Sequence, residues 1–97
     1  MKYNVAIVGA TGAVGREILQ TLNERKFPIG KIYALASTKS PGRQVSFGDD
    51  KTIDVTPLNE FDFSKVDLAL FSAGGSVSEK FCSEAGEKGA LVIDNSS

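Results

Sequence analysis

Histidine is absent from this sequence, cysteine and methionine occur once each, and proline occurs three times. Without histidine the chain cannot form a Ser/His/Asp triad, and no spacing of its other candidate ligands matches a metal-binding pattern. A single cysteine, Cys82, excludes an internal disulfide and fits a reducing compartment. Long apolar runs are missing as well. The longest fall far short of the ~20 residues that a bilayer-spanning helix needs, and the amino terminus is strand-like instead of a basic segment followed by a signal core. The expected location is therefore cytoplasmic, with no membrane partner. Charge of one sign is lacking too: 11 Lys and Arg against 12 Asp and Glu leave a net charge of −1. The basic residues are scattered, so nothing points to a nucleic-acid partner.

What is present is the composition of a folded domain, with 41% hydrophobic and 24% charged residues. A length of 97 residues allows one core, so residues 1–97 are read as a single domain. The stretch Tyr3 to Leu22 organises it. Val5-Ala6-Ile7-Val8 is a continuous apolar run, the pattern of a strand buried on both faces. Val14, Ile18, Leu19 and Leu22 then recur at helical spacing between polar residues. Between strand and helix lies Gly9-Ala10-Thr11-Gly12-Ala13-Val14-Gly15.

Glycines spaced this way answer a backbone problem. The chain must turn sharply (Gly9), a phosphate must approach the main chain (Gly12), and the helix must pack tightly against the strand (Gly15). Free amides and the positive end of the helix dipole then favour a pyrophosphate at Thr11 to Val14 without any cationic side chain. The spacing GxxGxxG is one residue longer than the commonest dinucleotide fingerprint, and its place between strand and helix is what gives it weight.

The first helix is expected to run to about Lys26 and to be closed by Phe27-Pro28-Ile29-Gly30. Lys31 to Ala36 reads as the second strand, completing a right-handed βαβ unit. Gln44 to Phe47 and Thr52 to Val55 suggest a hairpin-like excursion around Gly48-Asp49-Asp50-Lys51. Leu58 to Lys65 reads as an irregular turn that packs Phe61 and Phe63 under the sheet. Val66 to Phe71 is a further strand, leading through Ser72-Ala73-Gly74-Gly75 into a helix. Ser76-Val77-Ser78-Glu79 has the form of a capping box, Val77, Phe81 and Ala85 share a face, and the helix should stop near Lys88-Gly89. Ala90 to Ile93 is a last apolar strand. The polar end at Asp94-Asn95-Ser96-Ser97 leads to the expectation that the sheet is truncated and the chain part of a longer one. The fold class is thus α/β, a Rossmann-like three-layer arrangement around a mainly parallel sheet.

Two further segments bear on the ligand. A free ribose 2′-hydroxyl is usually gripped by a carboxylate at the end of the second strand. Here Ala36-Ser37-Thr38-Lys39-Ser40 offers hydroxyls and an ammonium, with Arg43 nearby, which favours a 2′-phosphate and hence NADP; the alternative is a solvated loop. Ser72-Ala73-Gly74-Gly75 lets a cofactor lie against bare backbone, or is simply a tight strand-to-helix connection. Cys82 sits mid-helix beside Phe81 with nothing nearby to lower its pKa, so it reads as a small buried hydrophobe. No catalytic residue and no metal site is assigned.

With these residues in hand, the chain resembles the amino-terminal part of the aspartate-semialdehyde dehydrogenase family. The resemblance rests on Val5 to Gly15 (VAIVGATGAVG), Ala36 to Gly42 (ASTKSPG), Phe71 to Gly75 (FSAGG) and Val92 to Ser97 (VIDNSS), in that order. It implies an NADP-dependent, cysteine-thioester reduction of aspartyl phosphate to the semialdehyde, a step of bacterial amino-acid biosynthesis, by a longer enzyme that is expected to be a homodimer. It also implies the cofactor contacts Gly9, Thr11, Gly12, Ala13 and Val14 for the phosphates, and Ser37, Lys39 and Ser40 for the 2′-phosphate. Ser72, Ala73 and Gly74 would lie on the nicotinamide side. Many relatives carry arginine where this chain has Lys39, which keeps the charge but not the planar fork. The family's cysteine nucleophile, histidine acid/base and substrate-phosphate arginine belong to segments after Ser97, and Cys82 does not match the nucleophile's motif. Two alternatives stand beside this family: N-acetylglutamyl-phosphate reductase, which resembles it in the glycine turn and chemistry, and, from another class, a non-catalytic NADP-sensing module.

Overall fold

Val5, Ala6, Ile7 and Val8 are fully buried, as a strand covered on both faces requires, and their side chains divide between two cores. This computed structural model describes residues 2–10, 12–36, 44–47, 51–72 and 75–94, without the side chains of residues 59, 75–80 and 94. The elements in chain order are β1 (Tyr3–Val8), α1 (Ala13–Glu24), β2 (Ile29–Ala36), β3 (Gln44–Ser46), β4 (Thr52–Pro57), two 3₁₀ turns (Leu58–Glu60 and Phe63–Lys65), β5 (Leu68–Phe71), α2 (Gly75–Glu87) and β6 (Leu91–Asp94). They form one six-stranded sheet in the order β3-β4-β2-β1-β5-β6. Every pairing is parallel except β3 with β4. The expected hairpin exists, but it is no excursion. β4 pairs with β2 through Ala34↔Val55, so the hairpin supplies the outer two strands of the main sheet.

The period-2 alternation of β1 sorts the layers. Val5 and Ile7 face a core built with Leu19, Ile18 and Leu22 of α1, together with Ala34, Ala36, Leu68 and Leu70. Ala6 and Val8 face the other core with Leu35, Ala69 and Phe71, against Phe81, Cys82 and Ala85 of α2. The helices therefore lie on opposite faces, giving three layers. Cys82 is half-buried and packs on the second core, more open than the buried position expected from sequence.

The connection from β4 to β5 contains no α-helix. Its space in the second layer is filled by rings: Tyr33 and Phe61 have centroids 5.1 Å apart, Phe61 meets Phe63 edge-on at 5.2 Å, and Phe63 lies near Phe71 and Phe81. Phe63 is 1% exposed and touches three of these rings, so it is the anchor of the segment. The expectation that this turn packs aromatics under the sheet is met. Asp62 shapes it, accepting a hydrogen bond from the Ser64 amide at 3.0 Å. That bond, with help from the Ser64 hydroxyl, holds the Asp62 carboxyl below its usual value of 3.8.

Helix ends depart from expectation where the backbone overrides composition. α1 stops at Glu24 because Lys26 adopts φ 52°, with Lys26 N–H bonded to the Asn23 carbonyl and Phe27 N–H to the Leu22 carbonyl. This is the left-handed closure usually made by glycine. β2 accordingly begins at Ile29, two residues earlier than read. α2 closes by the same pattern with Gly89 at φ 95°, where expected. Because α2 starts at Gly75, Ser76 is already helical and is not the cap of a box. β5 starts at Leu68, since Val66 caps the second 3₁₀ turn.

At the amino-terminal edge of the sheet, Asn4 fastens β1 to β2 and to the segment that leads into β5. The β1–β2 register shifts between Tyr3 and Val5, and the Asn4 side-chain oxygen accepts the Lys31 amide at 3.0 Å beside that shift. Its Nδ2 donates to the Lys65 carbonyl, while its main chain exchanges hydrogen bonds with Asp67.

Two outcomes follow from this packing. Phe63→Ala should destabilise the domain by about 3–5 kcal/mol in chemical denaturation, because it empties the centre of the ring cluster. The Asp62 carboxyl is depressed in the folded chain, so its stabilisation is present above about pH 4 and lost as pH falls below that. The stability difference between wild type and Asp62→Asn, measured by urea unfolding, should therefore vanish in acid.

Candidate nucleotide-binding site

The parallel register brings the carboxyl ends of β1, β2 and β5 to one edge: Val8 is level with Leu35 on one side and with Phe71 on the other. From β1 the chain crosses to β2 on one flank, whereas β5 and β6 lie on the other. The order of strands thus reverses between β1 and β5, which is where open α/β sheets form a ligand crevice. Gly9 follows β1 and Ser72 follows β5 at that point.

Gly9 has φ 87°, a left-handed conformation that costs glycine nothing. It lets both Gly9 and Ala10 donate their amides to the Leu35 carbonyl, at 2.8 and 3.1 Å. The Gly9 carbonyl then accepts the Gly12 amide at 3.1 Å, closing the turn, and the Gly12 carbonyl accepts the Arg16 amide as the first bond of α1. A Cβ on Gly15 would lie 2.3 Å from the Gly9 oxygen and 2.8 Å from the Ala10 Cα. The helix therefore packs directly on the turn, closer than any side chain permits.

Gly12 differs. It has φ −82° and ψ 168°, which any residue adopts, and a Cβ there would meet only the Gly9 oxygen at an ordinary 3.5 Å. It is also exposed. The helix it opens has no side-chain cap bond and no acidic residue in its first turn. The amides of Ala13, Val14 and Gly15 precede the first i→i−4 bond, so helix geometry leaves them without helical partners. Ala13 and Val14 are exposed, Val14 by 45%, although its spacing had placed it on the apolar helix face. Val14 lines a groove along α1 with Glu17, Ile18, Thr21 and Leu22.

Ser72 is half-buried and faces this turn. Its amide donates to the Val8 carbonyl at 2.9 Å, and its hydroxyl reaches the Val8 carbonyl at 3.0 Å and the Gly9 carbonyl at 3.4 Å. The structure thus brings together Gly9, Gly12, Ala13, Val14 and Ser72. Thr11, Ser37, Lys39, Ser40, Ala73 and Gly74 lie outside the described residues, although β2 ends at Ala36, immediately before Ser37, on this same edge. Among the described residues no cluster of three or more potential ligands could hold a metal ion, and no helix is long and apolar enough to cross a membrane. The inward bonds of Ser72 and the bracing by Asn4 went unread in the sequence, because their partners are more than 60 positions away for Ser72 and up to 63 for Asn4.

A doubly wound sheet with a glycine turn opening a helix at the reversal of strand order defines a nucleotide-binding domain of the Rossmann kind. Residues 4–97 match the family model described as semialdehyde dehydrogenase, NAD binding domain, and the chain belongs to that family. It is 58% identical over 94 residues to aspartate-semialdehyde dehydrogenase of Legionella pneumophila, covering 97% of this chain and 27% of the relative. It is 53% identical over 96 residues to that of Rickettsia bellii, covering 99% and 28%. Aspartate-semialdehyde dehydrogenase II of Vibrio cholerae, in a crystal structure with ASA, superposes with a TM-score of 0.93 at 49% identity, over 100% of this chain and 31% of that one. A Candida albicans enzyme of the same name, solved with NADP, shares the fold at a TM-score of 0.73 and 21% identity. The chain thus spans under a third of these relatives. Their shared name does not favour the N-acetylglutamyl-phosphate reductase alternative.

The contrast between two glycines is measurable. Gly15→Ala should cost about 2–3 kcal/mol of folding stability from main-chain overlap, whereas Gly12→Ala should stay within about 1 kcal/mol of wild type in the same urea titration.

Proposed function

We propose that residues 1–97 form the NADP-binding domain of an aspartate-semialdehyde dehydrogenase, and that the glycine turn holds the cofactor's pyrophosphate. The observation that carries this is Gly12. Gly9 and Gly15 are explained by the chain's own conformation and packing, but nothing within the described residues needs a missing side chain at Gly12. A ligand approaching the open helix terminus does need it. Gly9, Thr11, Gly12, Ala13 and Val14 then cradle the diphosphate, with main-chain amides and the helix dipole supplying the attraction.

The loop after β2 selects the adenosine. Ser37, Lys39 and Ser40 receive a 2′-phosphate through hydroxyl and ammonium donors, with no carboxylate between Ala36 and Gly42 to grip a free 2′-hydroxyl or repel the phosphate. Ser72, Ala73 and Gly74 line the nicotinamide half, where the strand end and small residues leave room for a flat ring. When bound, the cofactor supplies a hydride. In the whole enzyme that hydride reduces an acyl group derived from aspartyl phosphate, the small-molecule substrate, to aspartate semialdehyde.

The nucleophile, the proton-transfer group and the substrate-phosphate cation belong to polypeptide beyond this domain, so these 97 residues bind the cofactor without turning over substrate. The whole enzyme is a cytoplasmic homodimer. This proposal is tested by calorimetric titration of the chain with NADPH and NADH side by side. NADPH should bind at least tenfold more tightly, and Lys39→Glu should abolish the preference; equal affinity of wild type for both would remove the loop assignment, and no binding of either would remove the site.

A further inference from the structure

We propose that Ser72 is a positioning residue for the diphosphate turn, holding the Gly9 peptide through its hydroxyl instead of touching the nicotinamide ring with it. The inference rests on the NADP-binding reading above. A serine hydroxyl has one proton to donate. In Ser72 it lies between two carbonyls, Val8 at 3.0 Å and Gly9 at 3.4 Å, and the residue's own amide is already spent on Val8 at 2.9 Å. Both donors of this residue therefore point into the main chain of β1 and the turn.

The Gly9 carbonyl joins the turn to the start of the helix. Its oxygen accepts the Gly12 amide at 3.1 Å and sits where a Gly15 side chain would be, while the Gly9 and Ala10 amides are both fixed to Leu35. The turn is thus tied to β2 by the Gly9 and Ala10 amides, to the residue that opens α1 by the Gly9 oxygen, and to the residue after β5 by the Ser72 hydroxyl. Of these ties, only the one from Ser72 is made by a side chain. Releasing it frees the Gly9 carbonyl to tilt, and the Gly12 amide and the start of α1 move with it. The consequence is felt where the diphosphate binds, not where the ring binds.

This gives a distinctive ligand dependence. Ser72→Ala should weaken NADPH about three- to tenfold, the range for loss of one hydroxyl–carbonyl bond. The same loss should appear with 2′-phospho-ADP-ribose, which keeps the diphosphate but lacks nicotinamide, and should be absent with adenosine 2′,5′-bisphosphate, which has no diphosphate bridge. Ser72→Thr, which retains the hydroxyl, should restore tight binding of 2′-phospho-ADP-ribose, which has no ring for the added methyl to meet, and serves as the folded comparison if the alanine variant unfolds; a threonine variant as weak as alanine toward that ligand would overturn the inference. A loss confined to NADPH, with 2′-phospho-ADP-ribose unaffected, would also overturn it and place the hydroxyl on the ring. Failure of wild type to bind any of the three ligands would instead overturn the cofactor site itself, and this inference with it.

Discussion

The contact between Gly15 and the Gly9 peptide is the constraint on which the rest of the molecule depends. A helix can begin this close to the strand that precedes it only if one residue carries no Cβ, and a Cβ at Gly15 would stand 2.3 Å from an oxygen. That approach sets where the first turn of α1 lies relative to the ends of β1, β2 and β5. The left-handed Gly9 commits the first amides of the turn to Leu35, while those of the helix start have no helical partners. The shape of the turn is a by-product of packing.

Around this point the chain fills three layers with unequal means. One face of the sheet is covered by α1 through Leu19, Ile18 and Leu22. The other is covered by α2 and by the aromatic cluster of Phe61 and Phe63, which occupies the layer where a longer crossover would have placed a helix. Large rings suit that task because a short segment can carry much buried area with few residues to order. The result keeps β1 sealed on both sides with a connection of ten residues between Leu58 and Asp67.

What the sequence made legible is local. β1, the glycine turn and α1 are contiguous, so the change from apolar run to glycine to helical spacing could be read along the chain, and so could the closure at Gly89. Lys26 could not, because a lysine gives no sign that it will take the left-handed conformation that ends α1. The capping-box pattern at Ser76 misled for a related reason: Gly75 already belongs to the helix, so the pattern lies one step inside. Val14 fitted the apolar face by spacing yet stays half in water, on the rim of the groove along α1. Asn4 and Ser72 act across the fold, and residues that act through partners in distant strands leave no periodic trace. The segment around Lys39 was read only from its composition and the family resemblance.

The placement of β1 has a bearing on motion. Its neighbours on either side are themselves paired on their far edges, by β4 and β6, and its four apolar residues are sealed from solvent. Transient opening of a sheet starts at its margins and reaches a strand paired on both sides last. The glycine turn is thus mounted on a strand that pairing on both sides and burial on both faces hold against such opening.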